Sequence, residues 1–272
     1  MQRIFIPFFL AVILVGAGCT PVVEVEKPAP VSSDNITVSL PLTGDVVGNP
    51  IHVVGEARVF ENVVSWRLRD AGGSILTSGT TEAAALDMGL FGPFDFYVVV
   101  PAPYYPGDPV MTDRNMTLEV FQASAKDGSD TDLVSIPLQI DRLDIAGVEI
   151  YLHNDTMDPE MTCTKVFQVT RKIIATDTPA RAAMVMLLQG PTPLELANQY
   201  STIIPFRTEL KDISISEDGV ATVDLKGAIA GSMGGSCYVS AIAREIEDTL
   251  KQFNSVKEVK ILINGEADRL QP

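Results

Sequence analysis

The stretch Arg181-Ala-Ala-Met-Val-Met-Leu-Leu-Gln-Gly190-Pro-Thr-Pro-Leu-Glu195 decides how the second half of this chain folds. Together with the two residues before it, it reads as a helix from Pro179 to Gln189 that is apolar on nearly every side. Thr178 stands where an N-cap belongs, and Pro179 falls in the first turn, where its missing N–H costs nothing. Gly190 suits the left-handed conformation that follows a helix, and Pro191 forbids continuation. A helix without a polar face is a buried helix, so the residues after about 147 are expected to wrap around it.

Outward from that helix, strand and helix patterns alternate. Val148-Glu-Ile-Tyr-Leu152 and Lys165-Val-Phe-Gln-Val-Thr-Arg171 read as strands before it. Leu210–Ile215 and Val220–Leu225 follow it, joined across the hairpin signal Asp218-Gly219. Tyr238 to Phe253 reads as a second helix, with Val239, Ile242, Ile246, Leu250 and Phe253 on one face. Glu258–Ile263 is a last strand, stopped by Asn264-Gly265. The order predicts an α+β domain over residues 147–272, two helices packed on a mixed sheet.

Residues 35–141 follow another rule. Ile36–Leu40 alternates, and Ile51–Phe60 is strand-like but broken at Gly55. Val64, Trp66 and Leu68 point inward, with Arg67 and Arg69 outward. Ser74–Ser78, Phe94–Val100, Met116–Gln122 and Leu133–Ile140 complete about seven short strands between frequent turns. That pattern predicts an all-β immunoglobulin-like sandwich with Trp66 in its core. Asp141 to Gly147 is the junction.

Upstream, Arg3 precedes the apolar run Ile4–Val15, then Gly16-Ala-Gly18 and Cys19. Its 12 residues fall short of the ~20 that a spanning helix needs. The segment 1–18 resembles a bacterial lipoprotein signal peptide, although Gly16 stands where such signals usually carry leucine. The resemblance implies lipidation at Cys19, export, and anchoring to the cell membrane. Thr20 in place of aspartate implies the outer membrane if the cell has two. Residues 19–34, with three prolines, read as a lipid-anchored tether reaching ~3 Å per extended residue. If Cys19 carries lipid, Cys163 and Cys237 remain, and a disulfide between them is the economical expectation in an exported protein. Two buried free thiols, or a catalytic Cys237, are the alternatives.

The net charge of −15 excludes nucleic acid as a partner, because no basic surplus neutralises phosphates. It also disfavours electrostatic docking on anionic headgroups. The chain has no phosphate-loop lysine motif, no Gly-x-Gly-x-x-Gly, no His-Glu-x-x-His and no Gly-x-Ser-x-Gly. With His52 and His153 as the only histidines, a histidine-rich metal site is impossible; no metal or cofactor is expected. His52 reads as a surface residue on an alternating strand. The sharpest enzymatic reading makes Cys237 a nucleophile at a helix start after Gly231-Ser-Met-Gly-Gly-Ser236, with His153 as base. No third, orienting group is evident, and the glycine-rich loop reads as a connector rather than an anion site. Asp127-Gly-Ser-Asp130-Thr-Asp132 lacks the closing glutamate of a calcium loop and reads as a polar hairpin. His153 to Glu160 reads as a solvated loop.

Two family resemblances cover nearly all of the chain after the signal segment. Pro41-Leu-Thr-Gly44, Val47-Gly-Asn-Pro50, Val54-Gly-Glu-Ala57, Phe60-Glu61, Leu68-Arg-Asp70, Gly73, Gly89-Leu-Phe-Gly-Pro-Phe94 and Ala125-Lys-Asp-Gly128 resemble the bacterial immunoglobulin-like domain found beside spore-germination domains. Val148–Leu152, Val169-Thr-Arg171, Leu187-Leu-Gln-Gly-Pro-Thr192 with Glu195, Ser201–Pro205, Asp218-Gly219 with Val223-Asp224, Gly235-Ser-Cys237, Thr249–Phe253 and Val259–Gly265 resemble the GerMN-type sporulation and spore-germination domain. The resemblance implies a non-enzymatic envelope protein that acts by binding or assembly, with an envelope protein, the cell wall or its own copies as partner. An envelope receptor for cell-wall glycan or peptide, and a cysteine-dependent envelope enzyme, are the alternatives.

Overall fold

The computed structural model describes residues 29–102, 113–160, 162–231 and 234–267. The signal segment, Cys19 and the tether as far as Pro28 lie outside the described residues, as does part of the loop before Cys237.

The first unit is a sandwich of two sheets. One has the order β1-β2-β4-β7, from β1 (Val31–Ser32), β2 (Ile36–Leu40), β4 (Ile51–Ala57) and β7 (Gly92–Val98). The other runs β3-β9-β8-β5-β6, from β3 (Val46–Val47), β9 (Asp130–Ile140), β8 (Asn115–Ala123), β5 (Val63–Asp70) and β6 (Ile75–Glu82). Alternate residues of each strand meet between the sheets, including Val53, Val64, Leu68, Phe94, Leu118 and Ile136. Trp66 stacks on Phe96 at 5.5 Å between ring centroids, which in turn tilts against Phe94 at 6.0 Å. Two expectations are corrected. Val31 and Ser32, from the stretch read as tether, pair with Val38 and Thr37. Gly55 does not break its strand: β4 runs through it, and glycine stands there because a Cβ would overlap the Thr37 carbonyl and the Phe94 ring.

The second unit holds β10 (Ile145–Asn154), β11 (Phe167–Ile174), α1 (Pro179–Leu188), α2 (Pro193–Ala197), β12 (Tyr200–Ser201), β13 (Thr208–Ile215), β14 (Val220–Gly227), α3 (Ser236–Lys251) and β15 (Glu258–Ile263). The mixed sheet is divided: an antiparallel sheet β11-β10-β12 and a mixed sheet β13-β14-β15, in which β14 and β15 run parallel. Both long helices pack on β10 and on each other, α1 reaching β13 and α3 reaching β15. Seven of the ten residues of α1 are buried, as its composition demands. Its one charge, Arg181, escapes by laying its guanidinium 4.6 Å over the Tyr97 ring and donating to Asp212 at 2.8 Å. Thr178 does not cap the helix with its side chain. Its ψ of 59° lies outside the extended region that an N-cap uses, and its N–H is held by the Thr176 hydroxyl at 2.9 Å. Gly190, at φ +72°, ends the helix as expected.

The two units share a seam. Beyond β7, Ile174 donates to the Val100 carbonyl and Ala102 to that of Lys172, both at 3.0 Å. Val98 and Val100 enter the sandwich core while Val99 between them enters the other core; Ile174 of β11 returns the exchange by packing into the sandwich. Asn49, buried at the seam, donates to the Ile174 carbonyl at 2.6 Å and accepts from the Val100 N–H at 2.9 Å. Arg207–Glu82 and Lys226 on the Asp95 carbonyl add polar crossings.

Candidate binding cleft between the domains

The outer wall of the cleft is set by a buried ion pair. Odd-numbered residues of β11 face the helices, and that parity carries Arg171 inward beside Ile173. The guanidinium grips Glu195 with two bonds, of 3.1 and 2.6 Å, and donates to the Met186 and Gly190 carbonyls at 2.7 Å each. It thereby satisfies carbonyls that the end of α1 leaves open. Glu195 closes a capping box on α2, its carboxylate accepting from the Thr192 N–H at 2.6 Å while the Thr192 hydroxyl accepts from the Glu195 N–H at 3.3 Å. Every polar atom of the pair is used, as burying charge requires. The result is a rigid corner from Leu188 to Pro193.

That corner faces the sandwich across a cleft of about 580 Å³, within the range of ~300–1,000 Å³ typical of ligand sites. Trp66, Phe96 and Tyr97 contribute its floor, Thr77–Thr80 of β6 one side, and residues 206–210, running into β13, the other. Its charged groups are answered inside the protein, Arg207 by Glu82 at 3.1 Å and Glu209 by Lys226 at 3.3 Å. Burial pushes the Glu209 carboxyl above its ordinary value, against the pull of the Thr81 hydroxyl and Lys226. Phe206, 80% exposed, stands at the rim.

The residues singled out by sequence lie elsewhere. Cys163 and Cys237 form a disulfide, with Cα atoms 5.2 Å apart and 74 residues between them in sequence. Neither sulfur is then a free nucleophile. His153 is buried, and burial lowers its basicity; its Nε2 lies 3.3 Å from Glu245. Glu245, fully enclosed on α3, accepts from the Thr202 hydroxyl at 2.6 Å and the Ile203 N–H at 2.9 Å. Burial pushes its carboxyl up to about 8. His52 is exposed, as expected, bonded to Asp95 at 2.8 Å and stacked on Tyr97. The reading of 153–160 as a solvated loop holds for Asp155–Met157, Pro159 and Glu160, which are exposed, and is corrected for His153 and Asn154, which end β10, and for Asp158. Asn154 and Asp158 are buried because they organise it, Asn154 accepting from the Thr156 and Met157 N–H groups and Asp158 from Thr162. Asp127 accepts from Ser129 within its hairpin, and Asp132 from Asn35. No group of three or more metal-ligating side chains occurs among the described residues.

Sequence reading missed the cleft, the Arg171–Glu195 pair and Glu245. Thr192-Pro-Leu-Glu195 is a capping box in plain view, and Arg171 sits at an inward parity; together they signalled a buried pair.

Comparison with known proteins divides the chain in the same way. Residues 35–129 match the family described as the immunoglobulin-like domain of bacterial spore germination. Residues 149–269 match the family described as sporulation and spore germination. No curated protein matches significantly. Among solved structures, the tandem GerMN domains of the sporulation protein GerM from Bacillus subtilis share 22% identity over 46% of this chain, with a TM-score of 0.37. This chain spans 41% of that one. The first GerMN domain of the same protein gives 22% identity over 45% of this chain and 85% of its own, with a TM-score of 0.36.

Proposed function

We propose that this chain, whose residues 35–129 and 149–269 match an immunoglobulin-like domain of bacterial spore germination and a sporulation and spore germination domain, is a germination-type protein that works in the cell envelope by binding, tethered through lipid on Cys19 and without catalysis. The observation that carries the binding reading is the cleft: a concave, largely apolar surface between two domains, whose charged groups already have partners. Export is supported by the disulfide, since such bonds persist in oxidising compartments and are rare in the cytosol. The signal-like segment before Cys19 supports the anchor. The absence of a free thiol at Cys237 removes the nucleophile that the enzymatic alternative needed.

The test is intact mass of the membrane-purified protein before and after reduction, with thiol alkylation. A diacyl or triacyl increment on Cys19 and no alkylation until reduction are expected, with Cys19→Ala leaving the membrane fraction. An unlipidated chain with an alkylatable Cys237, or a Cys19→Ala variant still bound to membranes, would sink the assignment.

A further inference from the structure

We propose that the cleft receives an extended, uncharged peptide segment of a partner protein, which adds as a new strand to the free edge of β6. This rests on the reading of the cleft as the binding site. Four consecutive residues, Thr77 to Thr80, line the cleft. Side chains of a strand alternate between its faces, so a cavity beneath one face would meet every second residue; an unbroken run means that the cavity lies along the strand's edge. That edge is open. β6 ends its sheet, and the backbone pairing of Ile75–Glu82 is to β5 alone among the described residues.

Exposed edges are usually defended by lysine, proline, a bulge or a covering element, because their unpaired N–H and C=O groups template another strand. Leu76-Thr-Ser-Gly-Thr-Thr81 carries no charge and no proline. The irregularity in its pairing falls at Leu76, so Thr77 to Glu82 run in regular register against β5. Gly79 gives no side chain to the strand, and the Trp66 ring lies where its Cβ would stand, 2.6 Å from Cζ2. An edge this regular in register, recessed between two domains, is protected from casual pairing by its position.

The facing wall sets the chemistry of the occupant. Arg171, Arg207 and Glu209 are each paired within the protein, so the cleft asks for no charge on its ligand. A lining that includes the hydroxyls of Thr77 and Thr80 and the apolar Leu188 and Phe206 suits small apolar and hydroxyl side chains. Main-chain hydrogen bonds would supply affinity, and the alternating side chains selectivity.

The experiment is amide hydrogen exchange on the full-length chain in detergent. The probe is an acetylated, amidated heptapeptide of alternating threonine and valine. Those amides of 76–82 that do not bond to β5 are expected to slow by about tenfold or more at saturation, with those of β2 unchanged. The same peptide N-methylated at every residue is expected to leave exchange unaltered, since neither of its edges can then donate to the ladder. No slowing up to about 1 mM peptide overturns the proposal. Equal slowing by the N-methylated peptide overturns it too, because side chains would then hold the ligand. Slowing that grows with protein concentration alone would assign the edge to a second copy, and slowing by a cell-wall glycan fragment but not by peptide would assign the cleft to sugar; either outcome replaces the peptide. Lipidation and fractionation report on the envelope role separately, so a negative exchange result removes this ligand class and leaves that role standing.

Discussion

Glu245→Gln is expected to stabilise the protein near pH 8 and to flatten its stability between pH 6.5 and 8. Burial holds the Glu245 carboxyl at about 8 in the folded protein, against an ordinary value of 4.5. Between those values the folded chain binds a proton that the unfolded chain has lost. Stability therefore falls as pH rises through the window, by about 1.4 kcal/mol per unit. His153 has the opposite sign. Burial lowers it from 6.5, so the unfolded chain protonates first and stability climbs as pH rises toward 6.5. The two slopes oppose each other in acid, and from 6.5 to about 8 the slope of Glu245 is no longer offset by that of His153. Over that 1.5-unit window it is worth about 2 kcal/mol. Glutamine keeps the local bonds: its carbonyl accepts from the Ile203 N–H, and its amide donates to the Thr202 hydroxyl. Glu209 and Asp248, also raised by burial, are untouched by the change and serve as its background. Urea unfolding at pH 6.5 and 8 measures the difference. The wild-type protein should lose about 2 kcal/mol more than the variant on going to pH 8. A variant that loses as much as the wild type would refute the assignment of the buried proton to Glu245.

Cys163→Ser opens a crosslink spanning 74 residues and is expected to cost about 4 kcal/mol, read as a lower thermal midpoint with Cys237 newly alkylatable. An unchanged midpoint would mean that the bond contributes no constraint. Arg171→Met strands the Glu195 carboxylate in the interior and is expected to cost about 3–5 kcal/mol by urea titration. The double variant Arg171→Met, Glu195→Leu should recover much of that loss, and a double variant no better than the single one would show that the corner depends on the charges themselves.

The two long helices were legible because their signals are local. Gly190 and Pro191 stop α1 wherever it packs, and the spacing of Val239, Ile242, Ile246 and Leu250 gives α3 its buried face. Trp66 and its alternating neighbours fixed β5 for the same reason. The disulfide followed from scarcity of cysteine. What escaped depends on partners far away in sequence. Val98-Val-Val100 has no parity to read, since an unbroken apolar run says nothing of which residue serves which core. Glu245 looks like any helical carboxylate until β10 and the 202–204 segment cover it. β3 and β12, two residues each, have no period at all. The cleft is least legible of all, because it is made by which strands end up last in their sheets.

The reciprocal exchange of Val99 and Ile174 sets how far the chain can be treated as two exchangeable modules. Each residue completes the neighbour's interior, so a cut at the 141–147 junction would expose one apolar side chain from each half and leave a matching void in the other. As a donor, Asn49 would lose the Ile174 carbonyl across the cut and keep only its longer bond to the Val100 carbonyl on its own side. Recombination that joins either half to a foreign neighbour must carry along a surface that fits this seam. In such a chain the heritable unit is the pair of domains, although the sequence families that describe it are two.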